Sequence, residues 1–148
     1  MSMPGRQFDH SGLEILSHTD CHRLLRSVPV GRLVFTQGAL PAVRLVNFLV
    51  ADGAILFRTS DGDKLRAAQR GDVVAFEVDE IDQDRHLGWT VTAIGHLSVA
   101  DTEEDPPLGE ALPLRPWAPH HDGHLIRLEI ESLQGRRLLA WAQRLHDN

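Results

Sequence analysis

Nothing restricts the fold of this chain more than residues 42–60, AVRLVNFLVADGAILFRTS, where two apolar runs meet at Ala51-Asp52-Gly53. Glycine takes the positive φ of a tight turn without steric cost, so Asp-Gly between apolar runs predicts a β-hairpin. A hairpin with apolar sides needs further strands to cover it. The sequence offers them in GRLVFTQ, DVVAFEVDEID, GWTVTAIGHLSVAD and HLIRLEIESLQGRRL, separated by Gly, Asp and Pro signals.

Alternation supports this reading. Trp89, Val91, Ala93, Leu97 and Val99 fall on one face of their run, and Thr90, Thr92, His96 and Ser98 on the other. In HLIRLEIE, Ile126, Leu128 and Ile130 oppose Arg127, Glu129 and Glu131. VVAFEV is apolar on both faces except at Glu77, which predicts a central strand covered on both sides. A small barrel covers one face only, so the second cover is expected to come from another copy of the chain, a homodimer. Ser17 with Asp20 resembles a capping box and opens a helix whose Cys21, Leu24 and Leu25 share a face. The bottom-up picture is a mainly β antiparallel barrel with flanking helices.

The hairpin's second strand runs out at Arg58, Thr59 and Ser60, and Gly62 leads into the helical pattern KLRAAQR with Asp61 or Asp63 near its cap and Lys64 in its first turn. Free N–H groups at a helix start, two hydroxyls, a guanidinium and an ammonium form a donor surface suited to phosphate. The same residue types also make ordinary connecting loops, and spacing alone leaves both readings open.

The bulk properties narrow the classes. A length of 148 residues fits one domain, read as a loose tail over 1–12 and a single domain over 13–148. Fifteen Lys and Arg against 21 Asp and Glu give a net charge of -6 with no basic tract, which argues against nucleic acid as principal ligand. No apolar run reaches the roughly 20 residues of a spanning helix, so no membrane partner and a cytoplasmic location are expected. Cys21 stands alone, which rules out an intrachain disulfide and leaves redox chemistry to a cofactor.

Six segments in order, VGRLVF (30–35), VRLVNF (43–48), ILFRTSDGDKL (55–65), VVAFEVDEID (73–82), GWTVTAIGHLSVAD (88–101) and RPWAPHHDGHLIRLEIESLQGRRL (115–138), resemble the pyridoxamine 5′-phosphate oxidase-like flavin-binding split-barrel family, in its compact actinobacterial-type branch. The resemblance implies a six-stranded antiparallel split β-barrel that binds flavin mononucleotide (FMN) at a dimer interface. It implies that Leu45, Val46, Asn47 and Phe48 run beside the flavin ring. Arg58, Thr59, Ser60, Lys64 and, by proximity, Leu65 would then hold phosphate and ribityl chain, while Trp89, Thr90 and Trp117 would close the site from the partner. The isoalloxazine carries the redox chemistry itself, so no catalytic triad is required. The expected function is an FMN-dependent oxidoreductase acting on a small organic molecule.

Departures from the true oxidases, including the absence of tyrosine, argue against vitamin B6 oxidation. Two alternatives stand beside the first: a reductase using the deazaflavin coenzyme F420, whose polyglutamyl tail calls on Arg66, Arg70, Arg136 and Arg137, and a non-enzymatic flavin- or haem-binding protein. His18, Cys21 and His22 share helical spacing and His120, His121 and His124 cluster in a loop, but neither group presents a full ligand set, and no metal is expected. Glu77 is expected to pair with Arg32, His96 to look into the dimer interface, and Trp141 to pack on the barrel from an amphipathic terminal helix.

Overall fold

The computed structural model describes residues 5–60, 62–100 and 123–139. Along the chain these form β1 (Gln7–Phe8), β2 (Glu14–Ile15), α1 (His18–Leu25), β3 (Val30–Gln37), β4 (Leu40–Asn47), β5 (Leu49–Ala51), β6 (Ala54–Thr59), α2 (Gly62–Arg70), β7 (Val73–Asp82), β8 (Leu87–Val99) and β9 (His124–Leu138). All strand pairs are antiparallel, in the order β1-β2-β9-β8-β7-β3-β4, with β6 also on β9 and β5 on β6. Six longer strands, β3, β4, β6, β7, β8 and β9, form the wall of a split barrel, and three strands of two or three residues extend it. No helix among the described residues is long and apolar enough to cross a membrane.

The hairpin turns where the sequence places it, with Asp52 at φ 51° and Gly53 at φ 74°. Its first apolar run, however, is two strands: β4 pairs with β3, and β5 pairs with β6. The break falls at Phe48, whose N–H donates to the Pro29 carbonyl at 3.2 Å. Its ring turns into the core edge-to-face with Phe76, centroids 4.8 Å apart. Burying that ring turns the backbone out of one sheet direction and into another.

Inward positions follow the predicted alternation: Leu33 and Phe35 on β3, Val74, Phe76 and Val78 on β7, Val91, Ala93 and Leu97 on β8, and Ile126 and Leu128 on β9. Val99 departs from it and is exposed at the end of β8. Ser17 caps α1 by accepting from the Asp20 N–H at 3.1 Å, and Cys21, Leu24 and Leu25 bury one face of that helix in the core. Ala67 and Ala68 do the same for α2.

The stretch over 1–12 is tied down in its described part: β1 pairs with β2, and Asp9 accepts from Arg136 at 3.0 Å. Among the described residues nothing covers the second face of central β7. Val73 is 59% exposed, and Val43, Leu45 and Ile94 on the same outer face are exposed beside half-buried Val34 and Ala75. The register that puts Arg32 opposite Glu77 and Val34 opposite Ala75 makes this face continuous across β4, β3, β7 and β8.

Candidate functional site

The end of β6 and the start of α2 bring the anion-binding groups together. Thr59 closes β6 opposite His124 and is 4% exposed, Arg58 is half-buried, and Ser60 is exposed. Gly123 lies against this end at φ 109°, and a Cβ there would meet the Thr59 carbonyl oxygen at 2.4 Å, so only glycine permits the approach. Arg58 Nη1 donates to the Gly123 carbonyl at 3.4 Å. Lys64, in the first turn of α2, is 8% exposed, a rare position for an ammonium, which demands polar or negative company. The first N–H groups of α2 lie in the same turn, where the helix dipole is positive.

A network absent from the sequence reading ties this turn to the β3–β4 hairpin. Asp63 accepts hydrogen bonds from Gln37 and from Arg66, and Gln37 Oε1 accepts from Arg44 Nη2 at 3.3 Å. Arg44 stands opposite Leu33 on the inward side of β4, between Ala42 and Val46. A charge breaking an apolar alternation was the available signal. Among the described residues neither Arg44 nor Arg58 has a carboxylate partner, so both cations remain available to a bound anion. Among the described residues edge strand β4 pairs with β3 alone, which leaves one rim of its peptide groups outside the ladder beside this cluster.

The other candidates divide. Leu45 is 61% exposed on the outer face and Asn47 is half-buried at the end of β4. The side chains of Val46 and Phe48 are buried in the core, which leaves their backbone as the part open to a ring. Leu65 is half-buried and packs on the core from α2. Trp89 and Thr90 stand opposite Arg137 and Arg136 on β9, whereas Thr59 stands opposite His124. That interval amounts to roughly 40 Å of extended strand. One chain does not bring them together. Trp89 instead lines a groove of about 310 Å³ with Ile81, Leu87 and Leu138. Trp117, Trp141, Asp61, His120 and His121 lie outside the described residues.

The remaining ionisable groups are mostly committed elsewhere. All four arginines considered for a polyglutamyl tail are ion-paired: Arg66 with Asp63, Arg70 with Asp72 at 2.8 Å, Arg136 with Asp9 at 3.0 Å and Arg137 with Glu14 at 3.1 Å. Glu77 pairs with Arg32 at 3.1 Å as expected, and Asp79 shares the same guanidinium nitrogen at 2.8 Å. Burial first, then the neighbouring Asp79, pushes the Glu77 carboxyl up to about 7 against the pull of Arg32. His96 pairs with Glu131 at 2.8 Å. Burial raises the Cys21 thiol, which faces the core rather than His18 and His22. No group of three or more His, Cys, Asp or Glu able to hold a metal occurs among the described residues.

Comparison with known proteins places this geometry in context. The family model described as pyridoxamine 5′-phosphate oxidase matches residues 17–137. The uncharacterized protein Rv0080 of Mycobacterium tuberculosis is 38% identical over 130 residues, covering 84% of this chain and 85% of that one. The structure of an FAD-binding protein from Mycobacterium smegmatis aligns with a TM-score of 0.66 at 32% identity over 84% of this chain and 96% of the other. That of a proposed pyridoxamine 5′-phosphate oxidase from Corynebacterium glutamicum aligns with a TM-score of 0.71 at 29% identity, covering 86% and 99%.

Proposed function

The chain belongs to the pyridoxamine 5′-phosphate oxidase family, and from that premise we propose that it is a homodimeric flavoprotein that seats the FMN moiety between subunits and acts as an oxidoreductase on a small organic molecule. The observation that carries the reading is the convergence of Arg58, Thr59, Ser60 and Lys64 on the start of α2. A phosphate fits there because cation, hydroxyl and helix N–H donors meet it from several directions. The unpaired rim of β4 beside the cluster offers alternating N–H and C=O groups to the polar edge of a flat heterocycle, and exposed Leu45 with half-buried Asn47 are its side-chain contacts. FAD carries the same moiety, and the FAD-binding relative of 32% identity supports a flavin as occupant.

A bound flavin supplies hydride or electron transfer, while the chain holds its phosphate and ring. The second subunit is argued from two features. Among the described residues the outer apolar face over β4, β3, β7 and β8 is uncovered, and Trp89 and Thr90 stand too far along the barrel to close their own chain's site. In a twofold dimer both deficits are met at once, because the patch that is covered on one protomer covers its mate. The deazaflavin reading draws less support, since the arginines it calls on already serve carboxylates within the chain.

The test is direct. The tag-free protein, purified without added cofactor and then loaded with FMN or FAD, is expected to turn yellow with flavin absorbance, and mass spectrometry of the released ligand identifies the native form. A protein that stays colourless and binds neither flavin is not the one proposed here. Oxidation or reduction of the bound flavin by candidate substrates then separates an enzyme from a storage protein.

A further inference from the structure

On the outside of α1 a second set of donors stands apart from the flavin site. His18 and His22, one helical turn apart, bring their Nε2 atoms to 3.0 Å, with ring centroids 4.5 Å apart and planes at 77°. Two imidazole nitrogens bound to one ion at about 2.0–2.1 Å lie about 2.9 Å apart at a right-angled metal and about 3.3 Å apart at a tetrahedral one. The observed separation falls within that span, so chelation needs almost no movement of either ring. We propose that His18 and His22 chelate one divalent transition-metal ion of the class that favours imidazole, such as zinc, nickel or copper(II).

The remaining coordination positions open into a groove of about 490 Å³ lined by His18, Thr19, His22, Arg23 and Arg26. Arg23 and Arg26 disfavour a bare cation there and favour one that carries an anion, so the ion takes a phosphate or carboxylate as co-ligand. Asp20 is engaged by Arg23 at 3.4 Å and Cys21 is turned into the core, which leaves the two histidines as the protein's ligands. Without metal, one ring donates its Nε2 proton to the other. The ion replaces that proton, which moves to Nδ1 of the same ring, and each imidazole stays neutral.

The experiment is calorimetric titration of zinc, nickel or copper(II) chloride into the tag-free full chain, with and without inorganic phosphate. One ion per chain is expected, bound more tightly with phosphate present. His18→Ala and His22→Ala should each weaken uptake at least about tenfold, since loss of a direct ligand costs no less than loss of its outer-shell support, while His96→Ala should not. Copper(II) paramagnetic resonance of the unsubstituted protein provides a reading independent of variant folding, with coupling to two imidazole nitrogens expected. No uptake, uptake that survives both substitutions, or a spectrum without two-nitrogen coupling would each overturn the assignment.

Discussion

Lys64 and Arg58 differ from the chain's surface cations in what surrounds them. One is 8% exposed in the first turn of α2, the other is half-buried and hydrogen-bonded to a carbonyl, while most described arginines already pair with carboxylates. Replacing either with alanine is expected to cost flavin affinity roughly 1.5–3 kcal/mol, the worth of a charge-assisted hydrogen bond. Isothermal titration with FMN and FAD measures it, and unchanged affinity would place the phosphate elsewhere. Glu77 carries a pH dependence. Its carboxyl titrates near 4.5 in the unfolded chain and about 7 in the fold. The folded state therefore holds the proton more tightly. The resulting stability is present below pH 4.5 and lost as pH rises through about 7. Glu77→Gln should remove this loss, of about 1 kcal/mol after solvent screening, and flatten the stability-against-pH curve from urea melts. An unaltered slope would show that other groups set it.

Two glycines separate what a turn needs from what the site needs at the level of elements. Gly53, at φ 74° in the β5–β6 turn, has open space where a Cβ would project, so Gly53→Ala should cost about 1–2 kcal/mol of left-handed strain and leave flavin affinity intact. Gly123→Ala adds a collision with the Thr59 carbonyl to the same strain, and should lower both stability and flavin affinity. Denaturant melts and flavin titration on the two variants check the contrast; equal effects on affinity would separate Gly123 from the site. The turn at Asp52-Gly53 and the Ser17 cap were legible because each is a local rule acting on neighbouring residues. So was the cluster at Arg58, Thr59, Ser60 and Lys64, which lies within one short stretch of chain. The break at Phe48 was not, because it depends on Phe76 from β7. For the same reason the burial of the Val46 and Phe48 side chains in the core could not be read from the sequence. Arg44 and Gln37 were missed because their link to Asp63 joins two elements that no spacing rule connects.

For the whole molecule, the distribution of exposed apolar residues carries the argument. The alternation of β7 gave its inner face from sequence, and the apolar outer face pointed to a second cover that the described residues do not supply. Val43 and Leu45 on β4 project from that face beside the anion-binding cluster, so assembly and cofactor binding are expected to be coupled. Val43→Asp should disperse the dimer by desolvating a charge against the partner, with little change in the fold of the single chain, where Val43 is already exposed. The central claim is that one flavin phosphate sits at the start of α2 in a site completed by a second copy. Sedimentation velocity of the unsubstituted protein and of Val43→Asp, monitored at flavin absorbance during titration with FMN and FAD, tests it most directly. The account predicts two flavins sedimenting with a dimer and none retained by the Val43→Asp monomer; a monomer that binds flavin one to one with undiminished affinity would contradict it.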